Sequence, residues 1–139
     1  MEIIIDHINV TTHAHSEVVN ITNQVTALLQ KHKLKEGSAT IFVVGSTASI
    51  TTTEYEPGLK KDIPEMLERL APRGIRYHHD DTWGDGNGHA HVRASFIGPS
   101  LVVPFTESEL VLGTWQQIVL IDFDNRPRTR DIVVQFMGT

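Results

Sequence analysis

The chain has 139 residues, 40% of them apolar and 21% charged, with a formal net charge of −5 and no cysteine. Those values suit one soluble globular domain spanning residues 1–139, and the acidic balance runs against nucleic-acid binding, which favours a basic surplus. The lack of cysteine excludes disulfides, Cys-ligated zinc and thiol catalysis. No stretch approaches the roughly 20 apolar residues of a membrane span, and Met1-Glu2-Ile3-Ile4-Ile5-Asp6 lacks the marks of a signal peptide, so the expected location is cytoplasmic.

The first strand is predicted over residues 2–10, followed by a polar loop over 11–16. A helix follows over 20–32, because Ile21, Val25, Leu28, Leu29 and His32 recur at helical spacing, with Thr22 or Asn20 as N-cap. The β-branched run over 39–44 reads as a buried strand, broken by Gly45-Ser46-Thr47-Ala48 and resumed over 50–55. Pro57-Gly58 opens a second helix whose apolar face is Leu59, Ile63, Met66, Leu67 and Leu70, and Pro64 is expected in or near its first turn. The segment from His78 to His91 reads as loop, with glycines at 84, 86 and 88. Residues 91–97 suit a short helix or strand that Gly98-Pro99 stops. Three strands close the chain, over 100–105, 117–123 and 131–137, with turns at 106–109 and 124–127. Strands outnumber helices and do not alternate with them. The expectation is a single compact α+β domain with a largely antiparallel sheet or sandwich and two to three helices.

Chemistry concentrates in one place. Four of the eight histidines fall in His78-His79-Asp80-Asp81-Thr82-Trp83-Gly84-Asp85-Gly86-Asn87-Gly88-His89-Ala90-His91, among carboxylates and an amide. Imidazole and carboxylate bind divalent metals and move protons near neutral pH. On a strand, His89 and His91 would share a face and reach one ion. On a helix they would diverge by about 200°. His78 or His79 would complete a three-ligand site with an open position. Gly45-Ser46-Thr47-Ala48 offers backbone N–H groups and hydroxyls to an anion. Gly113 marks a tight bend before Thr114-Trp115-Gln116, where Trp115 is either a stacking wall or a core residue. Arg126, Arg128 and Arg130 alternate, as a phosphate grip or as charge on an edge strand. Glu54 and Asp62 are candidate acid–base or metal-supporting groups.

Together these pieces resemble the YjbQ-like family, whose members are often named secondary thiamine-phosphate synthase. The matching residues are Ser46-Thr47-Ala48, Glu54 with Pro57-Gly58, His79-Asp80, Asn87 through His91, Gly98-Pro99-Ser100, Leu112-Gly113-Thr114-Trp115-Gln116, Arg128, Arg130 and Gly138, spread from about residue 16 to the end. Many members carry His-Thr-Thr-Ala where this chain has Gly45-Ser46-Thr47-Ala48, and Asn where it has Thr53. If that histidine is catalytic elsewhere, another, such as His89, would serve here.

The resemblance implies a compact α+β fold, a homotrimer with sites near subunit interfaces, and the joining of a hydroxymethylpyrimidine diphosphate to a thiazole phosphate. In that reading His79, His89 and His91 hold a divalent metal, zinc or magnesium, or contact pyrophosphate, and Asp80 and Asn87 orient them. His79, His91, Asp80 and Glu54 are the catalytic candidates. Ser46, Thr47, Asn87, Thr114, Trp115, Gln116, Arg128 and Arg130 contact a phosphorylated small-molecule substrate. The alternatives are a metal-dependent hydrolase of a small ester or phosphate, and a trimeric metal- or anion-binding protein without catalysis.

Overall fold

Two antiparallel sheets face one another across the main core, and two helices cover the far side of the smaller sheet. The computed structural model describes residues 1–139 as eight strands and four helices. The elements in chain order are β1 (Glu2–Thr12), β2 (Glu17–Asn20), α1 (Thr22–His32), β3 (Gly37–Val43), β4 (Ala48–Glu54), α2 (Leu59–Leu70), α3 (His78–Trp83), α4 (Gly88–Ile97), β5 (Ser100–Thr106), β6 (Glu109–Leu110), β7 (Gln116–Asp122) and β8 (Arg128–Gly138). The larger sheet has the order β1-β8-β3-β5-β6 and the smaller β2-β7-β4. The expected α+β class and antiparallel pairing hold throughout.

The strand β7 shows why the layers stack as they do. Ile118 and Leu120 join the large core with Ile41, Val43, Val103, Ile132 and Phe136. Val119, Ile121 and Phe123 face the other way, against Leu67 of α2 and Ala90 and Ala94 of α4. A central strand buried on both faces must be apolar at every position, and 118–121 is an unbroken apolar run. β8 is different. Arg130, Ile132, Val134, Phe136 and Gly138 are buried and the residues between them are more open, the alternation of a strand with one core face.

Several expectations need correction. A four-residue strand, β2, pairs with β7 between the loop expected over 11–16 and the helix expected from residue 20, and it takes in the expected helix start at Asn20. β1 runs on through Thr12, so the loop shrinks to 13–16, and Ala14, His15 and Ser16 all have positive φ. The N-cap of α1 is Ile21, without a side-chain cap. Instead Asn20 Oδ1 accepts the Thr22 N–H and the Thr22 hydroxyl accepts the Ile118 N–H, tying the helix to β7. Pro64 stands at the sixth position of α2, beyond the first turn.

The largest revision concerns the histidine-rich segment, where residues 78–83 and 88–91 are helical and only 84–87 are loop. α3 ends at Gly84, at φ +69°, a conformation open to glycine without a Cβ clash. α4 begins at Gly88, where any side chain would collide with the Tyr77 Cβ. Close packing of Tyr77 against that backbone brings the start of α4 beside α3.

Candidate functional site

α3 and the N-terminal turn of α4 meet the end of β7, and four of the sequence-derived residues, His79, Asp80, Asn87 and His91, come together there with Asp85. His79 Nε2 lies 3.2 Å from Asp85 Oδ1 and 3.1 Å from Asn87 Oδ1. One ligand atom from each of His79, Asp80 and Asp85 falls within 4.8 Å of the others. Asp80 Oδ1 also accepts the Gly88 N–H at 3.2 Å, so this carboxylate caps α4 as well as facing the cluster. His91 brings its ring to 4.3 Å from that of His79, centroid to centroid.

His89 does not join them. The His89-x-His91 pair stands on a helix, not a strand, so the two imidazoles diverge. His89 is 4% exposed with an unpartnered Nε2, and the charges that act on it are those of Arg93, Arg73, Glu68 and His15. Burial first, then Arg93 and Arg73, push its pKa below the usual histidine value. His91 is also pushed down, by burial and then by the neighbouring His79. His78 is fully exposed and takes no part beyond a 4.0 Å approach to Asp81.

A residue that sequence reasoning passed over forms the floor. Asp124, just beyond β7, is completely buried. Its Oδ1 accepts from the Asn125 N–H at 2.8 Å and the Asn87 amide at 3.3 Å, and its Oδ2 from the Thr47 hydroxyl at 3.0 Å and Arg128 Nε at 2.9 Å. Burial alone would raise its pKa, but these bonds outweigh it and hold the carboxyl below its ordinary value. Asp85 was visible in the histidine-rich segment but not singled out. Asp124 lies in a turn far away in sequence, where an aspartate is ordinary.

The expected phosphate grip divides. Arg130 is buried and committed to Asp122, with Nε to Oδ2 at 2.6 Å and Nη2 to Oδ1 at 2.8 Å, and also donates to the Thr47 hydroxyl at 2.7 Å. Arg130 and Thr47 are therefore internal braces rather than open anion ligands. Ser46 is exposed at the same turn. Arg128 is partly open, and with Arg126, Asn125, Asp85 and Asn87 it lines a cleft of about 260 Å³.

The remaining candidates lie elsewhere. Glu54 pairs in register with Gln116 at one end of the β4–β7 ladder, whereas Ala48 pairs with Asp122 at the other. Six residues of strand separate the two ends, roughly 20 Å at about 3.3 Å per residue. Thr114, Trp115 and Gln116 are exposed, Trp115 to 70%. Gln116 donates to the Thr52 hydroxyl at 3.1 Å, and Trp115 and Glu54 line a separate cleft with Asn20, Asn23, Tyr55, Glu56 and Gln117. Asp62 is exposed in the first turn of α2. Within the chain, these groups do not reach the histidine cluster.

Comparison with known proteins agrees with this fold. Residues 6–139 match the family described as UPF0047 protein YjbQ-like. The chain is 38% identical over 119 residues to a UPF0047 protein of Archaeoglobus fulgidus, covering 86% of this chain and 90% of that one. It is 35% identical over 133 residues to the UPF0047 protein YugU of Bacillus subtilis, covering 94% and 97%. Among solved structures, a YbjQ-like protein of unknown function from Sulfolobus solfataricus P2 superposes with a TM-score of 0.94 at 37% identity, covering 99% of each chain. An uncharacterized conserved protein of the yjbq/upf0047 family from Clostridium acetobutylicum superposes at 0.87 with 32% identity, covering 95% of this chain and 99% of that one. The chain belongs to the UPF0047, YjbQ-like family.

Proposed function

We propose that this protein is a divalent-cation-dependent enzyme acting on a phosphorylated small molecule. The observation that carries the reading is the convergence of His79, Asp80 and Asp85, the last of which lines a cleft together with Arg126 and Arg128. The donor set, one imidazole and two carboxylates, suits a divalent cation. A cation held there supplies charge neutralisation to phosphate oxygens. The chain's own part is to orient. Asp124 holds Arg128 through its Nε and Nη2, which leaves Nη1 free of that pair. Arg126 is exposed at the cleft and presents an uncommitted guanidinium fork. The family resemblance narrows the substrate to a hydroxymethylpyrimidine diphosphate joined to a thiazole phosphate. Departure of pyrophosphate in that reaction leaves a benzylic-type cation, so neutralising the leaving group is the main catalytic demand.

Hydrolysis of a small phosphate ester is the second reading. It is favoured by the His91 ring, which stands against His79 and takes part in no side-chain hydrogen bond. A homotrimer is the proposed assembly. Its support is the resemblance together with the exposed outer face of the larger sheet, where Ile3, Ile5, Phe42, Val102 and Met137 lie open.

The test is turnover by purified protein with Mg²⁺, Mn²⁺ or Zn²⁺, against a chelated control. One arm supplies the two phosphorylated halves and measures thiamine phosphate, and the other supplies simple phosphate monoesters. Chelator-sensitive product in the first arm supports the synthase, and in the second arm alone the hydrolase. Cation binding without product in either arm favours a binding protein.

A further inference from the structure

Trp115 is 70% exposed, yet the turn that carries it is tied down. The Gln116 N–H donates to the Gly113 carbonyl at 3.0 Å, and the Gly113 N–H donates to Gln116 Oε1 at 3.0 Å. Gln116 Nε2 in turn donates to the Thr52 hydroxyl of β4 at 3.1 Å. An indole is a large apolar surface that most folds pack away. Here a fixed backbone presents it as one wall of a cleft of about 330 Å³, at the lower end of the range for small-molecule pockets.

The polar groups of the cleft are unequally committed. Glu56 is spent, because its oxygens accept the Gly58 and Leu59 N–H groups at 2.8 and 2.6 Å at the start of α2. Asn20 is spent too, with Nδ2 donating to Gln117 Oε1 at 3.2 Å and Oδ1 accepting the Thr22 N–H at 3.0 Å. Glu54 is not. It is exposed at the cleft, and its carboxylate makes no hydrogen bond or ion pair within the chain. Gln117 keeps its NH₂ uncommitted. No Lys or Arg lines the cleft. Lys60 Nζ lies 4.7 Å over the Tyr55 ring, where the π face and not Glu54 receives it.

We infer that this cleft binds a planar nitrogen heterocycle with an amino group beside a ring N–H, stacked on Trp115 and held by Glu54. The indole face supplies stacking to a flat ring of either polarity. The two oxygens of a carboxylate match two parallel N–H donors, a bidentate pairing that a single donor cannot make. A cleft with two carboxylates and no lining cation favours a ligand edge that carries partial or full positive charge, and opposes a phosphate or carboxylate. The site is independent of the cation-site reading. Glu54 pairs with Gln116 at one end of the β4–β7 ladder, and the histidine cluster lies beyond the other.

The experiment is an NMR titration of the intact ¹⁵N-labelled chain with two probes. One is 2-aminobenzimidazole, which has the amino group beside a ring N–H, and the other is benzothiazole, a ring system of similar size with no N–H donor. The chain has two tryptophans, and the Trp115 indole signal is the one lost in Trp115→Leu. In wild type that signal is expected to shift saturably with 2-aminobenzimidazole while the Trp83 signal stays. Trp115→Leu is expected to weaken the affinity, followed on backbone amides, roughly 5- to 150-fold. Glu54→Gln, at an exposed position and of equal size, is expected to weaken 2-aminobenzimidazole about 10-fold and to leave benzothiazole unchanged. A structural role for Glu54 would move both probes alike. A Trp115 signal that does not shift up to the probe's solubility, whether the cleft is empty or covered by another copy of the chain, overturns the inference. So does equal wild-type affinity for the two probes, or an equal effect of Glu54→Gln on both. These outcomes leave the cation-site reading standing, and failure of the chain to bind Mn²⁺, Mg²⁺ or Zn²⁺ leaves this inference standing.

Discussion

The imidazole rings of His79 and His91 lie 4.3 Å apart between centroids and tilt by 47°, although they belong to different helices. His79 faces Asp85 and Asn87, and His91 stands behind it. Two positive rings at that separation would repel, and burial and then His79 hold the His91 pKa below its usual value. We therefore expect the two histidines to separate on mutation. His79→Ala should abolish Mn²⁺ binding in calorimetry. His91→Ala should leave binding within a few-fold of wild type while lowering turnover. Loss of binding in the His91 variant alone would contradict the assignment of His79 as ligand.

His89 gives a sharp contrast. Its Nε2 is buried without a partner, and an unsatisfied buried polar atom costs about 1–3 kcal/mol. His89→Leu is expected to keep wild-type Mn²⁺ affinity and to melt no lower than wild type. A large drop in affinity would place His89 in the cation site after all.

The brace beneath the site should be sensitive. Arg130→Met would leave Asp122 fully buried and without its bidentate partner. Breaking such a pair costs about 3–5 kcal/mol, because a buried charge is left uncompensated. Urea denaturation should show the loss as a lower midpoint. A midpoint near wild type would mean that the Arg130–Asp122 pair contributes little.

Trp115 and Phe123 should separate in the same assay. Trp115 is 70% exposed, so Trp115→Ala should change stability by no more than about 0.5 kcal/mol. Phe123 is fully buried between β7 and the helices, and Phe123→Ala should cost about 3–5 kcal/mol. Equal costs would mean that Trp115 is covered in solution.

The pair between Glu68 and Arg93 sets an acid-side dependence. The hydrogen bond from the Arg93 guanidinium, 2.7 Å away, holds the Glu68 carboxyl below its usual range against the opposing effect of burial. A carboxylate with a depressed folded pKa stabilises the fold above its unfolded value of 4.5, and that contribution is lost as pH falls through the folded pKa. Glu68→Gln should therefore melt below wild type at pH 7, and the gap should close as both are titrated well below pH 4.5. A gap independent of pH would assign the effect to packing rather than charge.

Much of the architecture follows from local pattern. The spacing of Ile21, Val25 and Leu29 marked α1, and the closing strands, predicted over 100–105, 117–123 and 131–137, stood within a few residues of their observed ends. Backbone periodicity is a short-range property, so a single chain displays it. The concentration of imidazoles and carboxylates in the histidine-rich segment was legible for the same reason, since those side chains are clustered in sequence.

Its geometry was not legible. Glycines at 84, 86 and 88 read as loop, yet Gly84 ends α3 and Gly88 is required by the approach of Tyr77, a contact no local pattern announces. That contact puts His89 and His91 on a helix and sends them to opposite sides, leaving His79 with Asp80 and Asp85. Asp124 reaches the same point from 37 residues beyond Asn87, because β7 ends there. Strand direction likewise carries Glu54 and Trp115 away from the cluster and turns Arg130 inward onto Asp122. The sequence by itself determined most of the strands, α1 and α2, and where imidazoles and carboxylates are clustered along the chain. Only tertiary packing decided which of those side chains meet, because convergence depends on the register and crossing of elements far apart along the chain.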